Sequence, residues 1–166
     1  MRKMVAVAAA TLALMGCSSE ADDGDTVGGV PANCADGAET FAKSEDDTGI
    51  GAAASAVTMP NGVVYMGTQS VDSIDAPGRK DVVVRICSEG IEESAHREVA
   101  TDLAAAIEAA DRPEVAIMKV SAWVPDGEYT ATERVLTVDD YEIFLWSGDF
   151  AEGIEPDDRW EVTSNG

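Results

Sequence analysis

The chain has 166 residues, of which 32 are acidic and 11 basic, for a formal net charge of −21. One domain fits comfortably in that length, whereas the two-lobed architecture of solute-binding proteins does not. A surface this acidic argues against nucleic acid and anionic lipid headgroups as partners, and its simplest use is solubility and mutual repulsion.

Arg2 and Lys3 precede a stretch, residues 4–15, that is uncharged and apolar apart from Thr11. As a helix it would extend about 18 Å at ~1.5 Å per residue, too short for a hydrocarbon core of roughly 30 Å, so it predicts a secretory signal and not a membrane span. It ends in Leu14-Met15-Gly16-Cys17. Those four residues resemble the lipobox of bacterial lipoproteins, and the resemblance covers residues 1–17 only. It implies that residues 1–16 are a removed signal peptide, that Leu14, Met15 and Gly16 are read by the signal peptidase, and that a diacylglycerol is joined to the Cys17 thiol. No Arg-Arg pair is present, which favours the general secretion route. Two or three acyl chains, at ~0.8 kcal/mol per buried methylene, hold a protein on a membrane nearly permanently. The expected partner is therefore the membrane, through the lipid anchor. The expected address is the extracytoplasmic face of the cell membrane or, since Ser18 follows the cysteine, the outer membrane of a bacterium that has two. With nine basic and 32 acidic residues left after cleavage, the mature chain carries −23.

Residues 18–33 (SSEADDGDTVGGVPAN) have almost no large apolar side chain and cannot bury enough surface to offset ordering, so residues 17–33 read as a lipidated cysteine and flexible acidic tether. Such a tether reaches about 20 to 25 Å. Asp22, Asp23 and Asp25 lack the alternating spacing of a calcium loop and the closing glutamate. With Cys17 acylated, Cys34 and Cys87 remain as a pair in an oxidising compartment, and two thiols there are expected to form one disulfide. The alternative is a catalytic dyad of Cys87 with His96, the only histidine, but no third orienting residue is identifiable.

Residues 34–166 are read as one domain with an acidic C-terminal tail. Ala56–Met59 and Val63–Ser70, joined by Pro60-Asn61-Gly62, predict a hairpin. A loop follows with turn chemistry at Pro77-Gly78, and β-branched content makes Asp81–Ser88 a strand. Glu92–Ala110 is the strongest helix. Val99, Leu103 and Ile107 recur every four residues beside Ala95, Ala100, Ala106 and Ala110, Glu92 and Glu93 suit the positive end of the helix dipole, and Pro113 stops it. His96 in its first turn reads as a surface residue. Val115–Val124 alternates, with Ala116, Met118, Val120, Ala122 and Val124 on one face and Lys119 and Ser121 on the other. Arg134–Val138 and Tyr141–Trp146 predict one bulged strand or a hairpin around Asp139-Asp140, two alternatives the residues leave open. Trp160 and Val162 suggest a last short strand. Seven of the nine aromatics fall between Trp123 and Trp160. Core packing explains them better than a sugar-stacking platform of Trp123, Tyr141 and Trp146.

The expected fold is α+β, one helix packed on a mostly antiparallel sheet of four to six strands. The strand at 81–88, the helix and the strand at 115–124 form a crossover unit, whose face opposite the helix is a candidate binding surface. The chain lacks G-x-S-x-G, S-x-x-K, H-E-x-x-H and every phosphate-cradling glycine loop, so no catalytic residue, cofactor or metal site is assigned. The expected function is a non-enzymatic binding or accessory role in the cell envelope, with an envelope protein as the possible partner. The alternatives are an envelope enzyme or enzyme accessory working with carboxylates, and a protein that captures cations or a small ligand.

Overall fold

The computed structural model describes residues 26–27, 30–31, 33–34, 49–110, 114–125, 131–139, 141 and 155–165. Within the stretch read as a tether, β1 (Thr26–Val27) and β2 (Val30–Pro31) pair antiparallel over two residues each. The domain proper begins with α1 (Ile50–Ser55) and β3 (Val63–Asp72), followed by β4 (Lys80–Ser88). Then come α2 (Glu93–Ala109), β5 (Val115–Pro125), β6 (Ala131–Val138), a 3-10 turn at Pro156–Arg159 and β7 (Glu161–Asn165). The five long strands form one sheet in the order β3-β4-β5-β6-β7. Only β4 and β5 run parallel, with α2 as their crossover; the other three pairings are antiparallel. The fold is thus α+β with one main helix on a mostly antiparallel sheet.

The helix forms where its apolar period says it should. Val99, Ala100, Leu103, Ala104 and Ile107 are buried and lie against Val82, Val84 and Ile86 of β4, Met118, Val120 and Ala122 of β5, and Leu136 of β6. Small residues at 100 and 104 let the helix approach the sheet closely, while Leu103 and Ile107 each contribute about 2 kcal/mol by leaving water. Trp160, 1% exposed, enters the same core just before β7. Its indole Nε1 donates to Thr101 Oγ1, whose hydroxyl donates to Asp157 Oδ1 at 2.6 Å, and Arg97 Nη1 donates to the carbonyls of Asp157 and Trp160. The C-terminal segment is pinned to α2 by this network.

Several expectations need correction. Residues 56–59 form no strand. The alanine-rich run before them makes α1, whose Ile50 and Ala54 join the core, and the chain then turns into β3 through Pro60-Asn61-Gly62. That turn is real, closed by Val63 N–H to Pro60 O at 3.1 Å with Gly62 at φ +81°, but it links a helix to a strand. In β5 a register shift against β4 makes Ala116 the extra residue, so Val115 and Met118, three apart, share the core face. His96 is fully buried, not superficial. Tyr141 occupies a single 3-10 position under α2, donating its hydroxyl to Ala104 O at 2.7 Å. Residues 142–154 lie outside the described residues, and with them the choice between one bulged strand and a hairpin.

Candidate binding face of the sheet

Among the described residues both helices pack on one side of the sheet, and register determines what the other side presents. Four cross-strand rows run over it. The first is Val64, Cys87, Trp123 and Glu133; the second Gly67, Arg85, Ser121 and Val135; the third Gln69, Val83, Lys119 and Thr137; the fourth Val71, Asp81 and Ile117. A bulge in β3 creates this arrangement. Met66 is the extra residue and Gly67, at φ +141°, absorbs the kink. Tyr65 and Thr68 therefore both face the helices, hydroxyl to hydroxyl at 2.8 Å, while Gln69 and Val71 face away.

The first row is closed off. Cys34 and Cys87 are joined as a disulfide with Cα atoms 5.3 Å apart, and Met66, Val64 and Trp123 pack around them. Glu133 receives Ser121 Oγ–H and Trp123 Nε1–H on the same oxygen, Oε1, and Ser121, on the face it shares with exposed Lys119, is only 1% exposed. The fourth row is open. A cavity of about 200 Å³ lies there, lined by Gln69, Val71, Asp81, Val82, Val83, Ile117 and Lys119. Its floor is aliphatic. Val71 is 49% exposed, and Ile74, just beyond in the β3–β4 turn, is 91% exposed.

Three polar groups edge that floor in different states. Gln69 Oε1 accepts from Arg85 Nη2 at 3.2 Å. Asp81 Oδ1 is buried and has no hydrogen-bond partner among the described residues. Lys119 is exposed and makes no ion pair among them. Lys80 is spoken for at the strand end, where its Nζ lies 2.7 Å from Asp72 Oδ1 and holds that carboxyl below the usual range. The lining of the cavity carries one carboxylate, that of Asp81, and so does not assemble the pair of convergent acids that hydrolysis of a glycosidic bond uses. Among the described residues no group of His, Cys, Asp and Glu is placed to hold a metal ion, and no helix is long and apolar enough to cross a membrane.

The residues singled out in the sequence are distributed as follows. Leu14, Met15, Gly16 and Cys17 lie outside the described residues. Cys34 and Cys87 come together as expected. Cys87 and His96 do not, since the sulfur is bonded to Cys34 on one face and the imidazole is buried beneath α2 on the other. That imidazole completes no hydrogen bond among the described residues. Burial, with the guanidinium groups of Arg134 and Arg97 nearby, pushes it down to about 4, the Val120 backbone and Glu93 acting in the opposite sense. Trp123 and Tyr141 also sit on opposite faces, so they share no platform. Asp81 and Lys119 were not picked out as a pair by sequence reasoning. The signal that could have found them is diagonal register across parallel strands, which no single strand's pattern contains. Comparison with family models, with characterised proteins and with solved structures found no match to the chain.

Proposed function

We propose that this chain is a lipid-anchored extracytoplasmic protein, held by acyl chains on Cys17, that binds an envelope component through the open end of its sheet and performs no chemistry on it. The observation that carries the reading is the cavity at the fourth row, where a buried carboxylate oxygen and an exposed ammonium, neither with a partner among the described residues, flank an aliphatic floor. Polar groups left without partners beside apolar surface are what ligand sites keep and folded interiors avoid.

Two further features support the address. The lipobox supplies the anchor, and a Cys34–Cys87 disulfide persists in oxidising compartments. The cavity is also well placed for an anchored protein. Asp81 is six residues along β4 from Cys87, roughly 20 Å at ~3.3 Å per residue, so a chain tethered at the Cys34 end presents it at the far end of the domain.

A photo-crosslinking residue at Lys119, compared with one at exposed Glu98 on α2, tests the reading in cells that express the full chain. The expected result is a discrete adduct with one envelope component from position 119 only, weakened by Asp81→Asn. Equal labelling from both positions overturns the binding face. Intact mass showing an unmodified thiol at Cys17 overturns the anchor.

A further inference from the structure

We infer that the cavity takes a dipolar ligand of amino-acid size, its ammonium on Asp81, its carboxylate on Lys119 and its apolar side chain over Val71, Val83 and Ile117. This deepens the binding role proposed above and rests on it.

The argument begins with what is missing from Asp81. A carboxylate oxygen removed from water without a donor is costly, and the fold supplies none from the described residues. A ligand donor would complete it, and one with a positive charge would do so best, because a charge-assisted bond is about twice as strong as a neutral one. The walls around that oxygen are aliphatic, which strengthens the attraction by excluding water.

Lys119 makes the site two-ended. Asp81 pairs in register with Ile117 and Val83 with Lys119, so the carboxylate and the lysine sit one strand apart and two residues apart along the strand. Their Cα atoms are thus about 8 Å apart, from ~4.8 Å between strands and ~6.6 Å along one. That leaves room for a short zwitterion laid diagonally between them. The third row adds Gln69, whose amide is oriented by Arg85, so the lysine end carries a second cation in the adjoining row. In a chain this acidic an anion needs local cations to approach, and Lys119 with Arg85 in the adjoining row supplies two. The volume, about 200 Å³, suits one small molecule and not an extended polymer.

The test uses leucine as probe, with leucine methyl ester lacking the carboxylate, N-acetylleucine lacking the ammonium, and glycine lacking the side chain. Binding is followed by amide chemical shifts of Val83 and Ile117 in the full chain in detergent micelles. Leucine is expected to bind saturably, and each of the other three roughly tenfold more weakly, as loss of one charged contact or of the apolar contact implies. Asp81→Asn should bring leucine down to the affinity of N-acetylleucine. Lys119→Met, at an exposed position where folding is unaffected, should make leucine and its ester bind alike. The inference is overturned if leucine causes no shift at tens of millimolar, if the blocked forms bind as well as leucine, or if both variants leave its affinity unchanged, as they would were Lys119 simply to close on Asp81. A discrete crosslink from position 119 together with no leucine response would remove the dipolar ligand and leave the broader binding role standing.

Discussion

The two faces of the sheet are finished to different standards. Under α2, Val82, Val84, Ile86, Met118, Val120, Ala122 and Leu136 are each at most 1% exposed and interlock with the helix. On the other side the same strands offer a closed end around Cys34 and an open end where Lys119 is exposed and Asp81 Oδ1 unmatched. Residues adjacent in sequence thus serve different ends: Val82 and Val84 hold the domain together, and Asp81 and Val83 line the cavity. The alternation of the strand thus sends neighbouring side chains to the core and to the opposite face.

The largest effect should come from the closed end. Replacing Cys34 and Cys87 together by alanine frees a loop of sequence separation 53, and the chain-entropy account puts the loss at about 4 kcal/mol, measurable as a lower denaturant midpoint. Leu103→Ala attacks the helix face by leaving a cavity and should cost about 3 kcal/mol, with the Val83 and Ile117 amides unshifted.

On the helix face, acid should act through His96. Its folded value of about 4 lies below the ordinary 6.5, so the fold favours the neutral ring. The stability this provides is complete above pH 6.5 and is lost as pH falls through the window from 6.5 to about 4, reaching about 3 kcal/mol at the bottom. Urea midpoints measured across that window should fall more steeply for the wild type than for a His96→Gln variant. A parallel decline in the two proteins would assign the acid sensitivity to other groups. The smallest effect belongs to the open end: Lys119→Met should move stability by less than ~0.5 kcal/mol, since an exposed, unpaired charge contributes little.

The part of this molecule that could be read from its residues is the part built from local period. Val99, Leu103 and Ile107 announce α2, and the β-branched run of β4 announces a strand, because each pattern repeats within one element. Glycine and alanine before Ser55 carry no such period, so α1 has no signal of its own in the sequence, and the hairpin arm expected at Ala56–Met59 is the turn that follows it. His96 misled through its polarity. Its burial depends on β5 and β6 passing beneath the first turn of α2, and no local signal reports that. The sequence suggested the face opposite the helix as a candidate surface and named no residues on it. Asp81 and Lys119 meet across the one parallel pairing in the sheet, and a register shift at Lys80 against Val115 sets their diagonal.

The bridge at Cys87 also decides how the domain bears tension. A pull applied upstream of Cys34 enters the chain at Cys87 through the sulfurs, so the covalent load path skips everything between the two cysteines, α1, β3 and β4 up to Ile86 included. From Ser88 the path runs on into α2 and the strands after it. Asp81 and Val83 lie inside the spanned loop, so tension on the tether reaches the domain without passing along the part of β4 that lines the cavity.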